Sequence, residues 1–202
     1  MTRSRSNVVH LVAALVSACS DDAPLYEEDV SAAQVEDVAP APAPCLTELV
    51  DLREVVPLGP DADPFPDRPA DFPCAPEGLH FEELGGEPVY SINTGACAYT
   101  TAVGSLAAAL SAGDTVEARV WHFTLLGPTA EAHVSVRIGD TAVLDERIAI
   151  PGESGMSVAS FTLDGPVAAG TSVYFHLHNH GSNSWSWLGL RRLSCASEAS
   201  VR

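Results

Sequence analysis

The stretch Thr171–Leu193, TSVYFHLHNHGSNSWSWLGLRRL, reads as two strand-like runs joined by a polar loop. In the first run Val173, Phe175 and Leu177 form an apolar set, and Tyr174, His176 and His178 alternate with them. Successive side chains point to opposite faces of a strand. One face therefore belongs to a core, and the other presents an aromatic ring and two imidazoles. After the loop the same alternation sends Leu188 and Leu190 inward and Trp187 outward with Arg191. The stretch carries three of the chain's seven histidines and two of its three tryptophans, so chemistry is concentrated here.

Working outward, similar runs recur between turn signals. They are Glu87–Asn93, Ala96–Thr101, Val116–Leu125, Ala132–Ile138, Ala142–Ile150 and Val158–Leu163, with Trp185–Leu193 closing the series. Gly139-Asp140 predicts a tight turn between two of them, and Leu106–Leu110 reads as strand or turn. Ala132, Val134, Val136 and Ile138 face inward, as do Ala142, Leu144, Ile148 and Ile150; Asp145 and Arg147 face outward. Val116–Leu125 carries two competing apolar sets, Val116, Ala118 and Val120 against Trp121, Phe123 and Leu125, which a bulge would reconcile. No helix-length amphipathic pattern and no internal repeat interrupts the series. The expected class is all-β, a sandwich.

Four stretches add a resemblance: Thr94–Tyr99, Ala112–Val116, Ala132–Val136 and Val173–Asn179. With them, Cys74 to Cys195 resembles the jelly-roll sandwiches of the galactose-binding-like and carbohydrate-binding-module class. The resemblance implies a jelly roll that binds a glycan without catalysis. It carries over no binding residue by motif.

Composition bounds the rest. The chain has 202 residues, 10 basic and 27 acidic, a net charge of −17, and no lysine. Such a chain repels phosphate backbones, which argues against nucleic-acid partners, and without lysine it has neither Schiff-base nor P-loop chemistry. Met1–Arg5 is basic and Val8–Ala18 apolar, and no apolar run reaches the length of a membrane span. Val16-Ser17-Ala18-Cys19 resembles a bacterial lipobox. It implies a signal peptide over 1–18, lipidation of Cys19 and, with Ser20 next, an exported protein anchored in the outer membrane or at the cell surface.

Residues 19–44 form an acidic, Ala/Pro-rich linker in which Ala39–Pro44 favours extended polyproline II. Residues 45–75 read as an irregular Pro-rich arm laid over the domain, 76–197 as the sandwich and 198–202 as a tail. Cys45, Cys74, Cys97 and Cys195 remain, an even number in an exported chain, which reads as two disulfides. Three pairings exist; Cys74–Cys97 with Cys45–Cys195 is favoured.

The expected ligand surface comprises Tyr174, His176, His178, Asn179, Trp185 and Trp187, since tryptophan rings stack on the apolar faces of sugars. Two alternatives stand beside it. His176 and His178, two apart on one strand, could converge on a metal in a cupin-like site with His180, His133 or His122 as third ligand. Or the aromatics are only core, in a structural envelope lipoprotein. No catalytic constellation and no cofactor is expected.

Overall fold

In the computed structural model, which describes residues 46–66, 68–69 and 74–193, the alternating runs pair into two antiparallel sheets. The first has the order β3 (Leu79–Leu84), β4 (Glu87–Asn93), β11 (Ser184–Arg192), β6 (Thr115–His122) and β9 (Gly155–Thr162), with the short β1 (Thr47–Glu48) beside β11. The second has the order β2 (Val56–Pro57), β5 (Tyr99–Ser105), β10 (Ser172–His178), β7 (Leu125–Ile138) and β8 (Thr141–Gly152). Its innermost hairpin, β7–β8, turns on Gly139-Asp140, where Gly139 has φ +54°. Outside it, β6 pairs with β9, β5 with β10 and β4 with β11, alternately in one sheet and the other. Four nested hairpins folded over in this way are a jelly roll, as expected.

The inward sets close the core. Val116, Ala118 and Val120 of β6 meet Ala132, Val134 and Val136 of β7 and Val173, Phe175 and Leu177 of β10, all without solvent exposure. Side-chain alternation plus the hydrophobic effect suffices for this part of the fold.

Three local expectations need correction. Val116–Leu125 is two strands, not one bulged strand. β6 ends at His122, Phe123 and Thr124 cross between the sheets, and Leu125 opens β7. Both apolar sets therefore exist, but Leu125 is core and Phe123 lies outside. The run expected at Ala96–Thr101 begins later, at Tyr99, because the backbone N–H groups of Ala96 and Cys97 both donate to Asn93 O and fold Asn93–Cys97 into a turn. The third concerns β11. Its register with β6 shifts between Trp187 and Leu190, where Gly189 takes φ +96°. This bulge inserts a residue and changes the facing, so Leu190 points inward and Trp187 does too.

The arm contributes more than cover. Leu49, Val50, Leu52 and Val55 belong to the core cluster, and β1 and β2 extend the two sheets. Cys74 and Cys97 are joined by a disulfide, as favoured. Cys19, Cys45 and Cys195 lie outside the described residues.

Candidate functional site

On the outer side of the second sheet, where Tyr174, His176 and His178 were expected to lie open, the arm lies instead. His176 is fully buried. Phe65 stacks on its imidazole at 4.0 Å, Tyr99 meets it edge-on at 5.1 Å, and its Nδ1 lies 3.0 Å from Thr101 Oγ1. The Arg137 guanidinium stands 5.0 Å from the Phe65 ring. Tyr174 and His178 are half-buried, and His178 packs edge-on against Tyr99. The face was assigned to the correct side of the sheet, but alternation cannot report that an irregular segment covers it.

Asp63 ties the arm down. Its carboxylate accepts hydrogen bonds from the Phe65 N–H at 3.0 Å, the Tyr99 hydroxyl at 2.9 Å and Arg68 at 2.9 Å. Burial alone would raise the carboxyl; these bonds, with Thr101, outweigh it and hold Asp63 below the ordinary carboxylate range. A depressed folded-state pKa means a contribution present above the unfolded value and lost as pH falls through the folded one. Asp63→Asn should therefore lower stability at neutral pH, with the difference from wild type shrinking below about pH 4 and vanishing in stronger acid. Thermal melts of both proteins across that range check it.

The metal alternative finds no support in the geometry. Among the described residues no group of three His, Cys, Asp or Glu side chains is placed to hold a metal ion. His133 is paired with Asp145 at 2.7 Å. His122 turns under Trp185, and its Nδ1 lies 2.9 Å from Phe123 O. His178 and His180 lie with ring centroids 4.9 Å apart, while the Nδ1 of His176 is already engaged by Thr101.

The remaining expected ligand residues are interior. Trp185 and Trp187 are fully buried, and Trp187 stacks on Phe175 at 5.2 Å with the planes 11° apart. Neither can offer a ring face to a sugar. Asn179 is also buried: its side-chain amide donates to Thr94 Oγ1 at 2.8 Å and to Gly181 O at 3.1 Å, and its Oδ1 accepts from the Trp185 indole at 3.2 Å. Asn183 Oδ1 accepts from the Leu126 N–H. Asn179 and Asn183 are the buried polar centre that fastens the β10–β11 connection, while His180, Gly181, Ser182 and Ser184 around them are exposed.

The open surface is the outer face of the first sheet. Alternation along β6 puts Glu117, Arg119 and Trp121 outside opposite the buried valines. Register carries one row across five strands: Met156, Trp121, Ser186, Ser91 and His80. Trp121 and Phe123 form an aromatic corner, their centroids 4.1 Å apart and their planes at 60°. Phe123 and Met156 are half exposed. Beside the corner the floor drops to small polar side chains. Ser91 Oγ lies 3.3 Å from Ser186 Oγ and donates to Glu82, whose carboxylate stands 3.7 Å from His80 Nε2. The opposite wall is β3, with His80, Glu82 and Leu84. Together they enclose a hollow of about 310 Å³.

An aromatic wall, a floor of hydroxyls and a carboxylate at the edge make a surface that can cover an apolar ring face and also exchange hydrogen bonds with hydroxyls. None of these side chains was singled out from the sequence as a site. The signal was there: had Val116, Ala118 and Val120 been given the core, Trp121 and Phe123 would have fallen on one outer face.

No family model and no curated protein matches the chain. Solved structures do. A carbohydrate-binding module studied for specific mannan recognition is 9% identical with TM-score 0.46, covering 75% of this chain and 98% of its own. A carbohydrate-binding module from Clostridium stercorarium, solved with cellobiose, is 12% identical with TM-score 0.36, covering 76% of this chain and 95% of its own. The Agl-KA catalytic domain is 9% identical with TM-score 0.41; the match covers 78% of this chain but only 29% of that one. What the open face can hold follows from its own residues.

Proposed function

We propose that this protein is a non-catalytic glycan-binding lipoprotein of the cell surface, and that the Trp121–Phe123 corner over the Ser91–Ser186 floor is its binding site. The observation that carries the reading is the corner itself. Two aromatic side chains remain at the surface of a domain that buries its other tryptophans completely, and beside Met156 and Leu84 they border the hydroxyls of Ser91 and Ser186 and the Glu82 carboxylate. An exposed aromatic beside organised polar groups is a recognition device. Binding at one such site is weak: covering roughly 100 Å² on each ring yields about 5 kcal/mol at ~25 cal/mol/Å², and association costs at least about 4 kcal/mol. Many copies held on one membrane, as lipidation of Cys19 would hold them, compensate through avidity.

Two experiments test the two halves. A glycan microarray probed with the tetramerised domain should retain it on a defined subset of glycans; retention on none overturns the binding assignment. Cys19→Ser should move the protein from the membrane fraction to the soluble fraction in a lipoprotein-processing bacterial host, with loss of labelled fatty acid. A variant that still sediments, beside a wild type that takes up no label, overturns the anchor.

A further inference from the structure

The two sheets end in four strands, and three of them are guarded. β3 carries His80, Glu82 and Glu83; β8 carries Asp145, Glu146, Arg147 and Pro151; β2 is two residues long and ends in Pro57. Charge, proline and short length are the devices that keep a sheet edge from pairing with another chain. β9 has none of them. Its eight residues, Gly155–Thr162, read GMSVASFT, without an ionisable side chain and without proline. Among the described residues β9 pairs with β6 alone, so its other backbone edge is open.

The side chains along that edge are apolar or small. Met156 and Val158 are 51% and 50% exposed on the outer face, and Ser160 and Thr162 continue the exposed row. The charges beside the strand are already engaged within the fold. Arg119, opposite Val158, donates to Glu87 at 3.2 Å; Glu117, opposite Ser160, accepts from Arg191 at 2.8 Å; and Glu146 of β8 accepts from the Ser157 hydroxyl at 2.6 Å. An approaching strand meets a neutral surface. A second copy of the chain fits it. At a net charge of −17 two copies repel wherever their carboxylates meet, and β9 offers a line of contact that carries none. An antiparallel edge is also its own complement. Turned about a two-fold axis near Val158, two such strands place Met156, Val158 and Ser160 of each copy side by side on one outer face.

We infer that β9 is a self-association edge, at which two copies of this chain pair strand to strand, antiparallel, and join their first sheets into one. The inference rests on β9 and holds whatever the outer face binds. Its consequence for the aromatic corner is geometric. Trp121 stands opposite Met156, two residues from the axis, on the strand next to β9. At ~4.8 Å between strands and ~3.3 Å per residue, the pairing sets two corners roughly 20 Å apart on one continuous face.

The test is sedimentation velocity and hydrogen exchange on the full chain carrying Cys19→Ser, without lipid. Pairing through one strand is a small interface, so the dimer should form with a Kd of roughly 10–100 µM. Above that concentration backbone amides within Gly155–Thr162 should gain protection, while those of β3 and β8 exchange as in the monomer. Val158→Lys sets a charge against its own copy at a half-exposed position. It should weaken the dimer by about tenfold or more and leave the melting temperature near that of the parent. A chain still monomeric at about 500 µM overturns the inference and leaves the edge to a foreign strand. Protection that arises outside β9, or a Val158→Lys protein that dimerises as well as its parent, overturns it too. The exchange data on the parent decide even if Val158→Lys does not fold.

Discussion

Trp187→Ala should destabilise the domain by about 3–5 kcal/mol, as severely as Phe175→Ala, because each removes a large buried ring and leaves a cavity. The two rings are stacked partners, 5.2 Å apart and nearly parallel, and neither has any exposed surface. A domain of this size has roughly 5–15 kcal/mol in total, so the loss takes a large share of it. The two substitutions should also be non-additive, since the double variant loses their shared contact once. Chemical denaturation of the single and double variants checks this. A Trp187→Ala protein within 1 kcal/mol of wild type, by the same order of estimate, would place the indole at the surface and restore the outward facing that plain alternation predicts.

The second large effect is expected at the opposite face. Trp121→Ala and Phe123→Ala should each weaken glycan binding by about 1–3 kcal/mol, five- to more than a hundredfold, while changing stability little. Phe123 is half exposed, and Trp121 faces solvent from a strand whose inward side is already filled by Val116, Ala118 and Val120. Truncation there opens no core cavity. The contrast matters more than either number: tryptophans on a single sheet, Trp121 on β6 and Trp187 on β11, should divide cleanly into one that binds and one that folds. Melting temperatures and binding isotherms on the same preparations separate the two roles.

How much of this was legible in the sequence depends on whether a two-residue period suffices. It does for Val173, Phe175 and Leu177, for Ala132 to Ile138 and for the Gly139-Asp140 hairpin, so the class, that one hairpin and most of the core could be read directly, whereas the nesting of the other pairs has no two-residue signal. It fails wherever the backbone adds a residue. The bulge at Gly189 turned Trp187 from surface to core, and a single glycine in a strand is too weak a signal to place such a bulge. It fails again at coverage. His176 does lie on the outward side of β10, yet Phe65, more than a hundred residues earlier and in a segment with no periodicity, is what buries it. Asn179 shows a third limit. Its polarity suggested a ligand, but a polar side chain serves equally to satisfy a buried backbone, and only the contacts with Thr94, Gly181 and Trp185 tell which. The site itself was lost by a boundary. One strand assumed to run from Val116 through Leu125 hid the fact that it stops at His122 and leaves the two aromatics outside.

The most direct measurement uses the tryptophans as they stand. The chain has three, of which Trp185 and Trp187 are fully buried and Trp121 is partly exposed. Acrylamide quenching of the wild type should resolve one accessible component, absent from Trp121→Phe. A glycan selected on the array should protect that component in a saturable way, with a midpoint matching the affinity from the binding isotherms. Saturable glycan binding that leaves the accessible component fully open to acrylamide, and that survives unchanged in Trp121→Phe, would contradict the account and put the binding site elsewhere on the molecule.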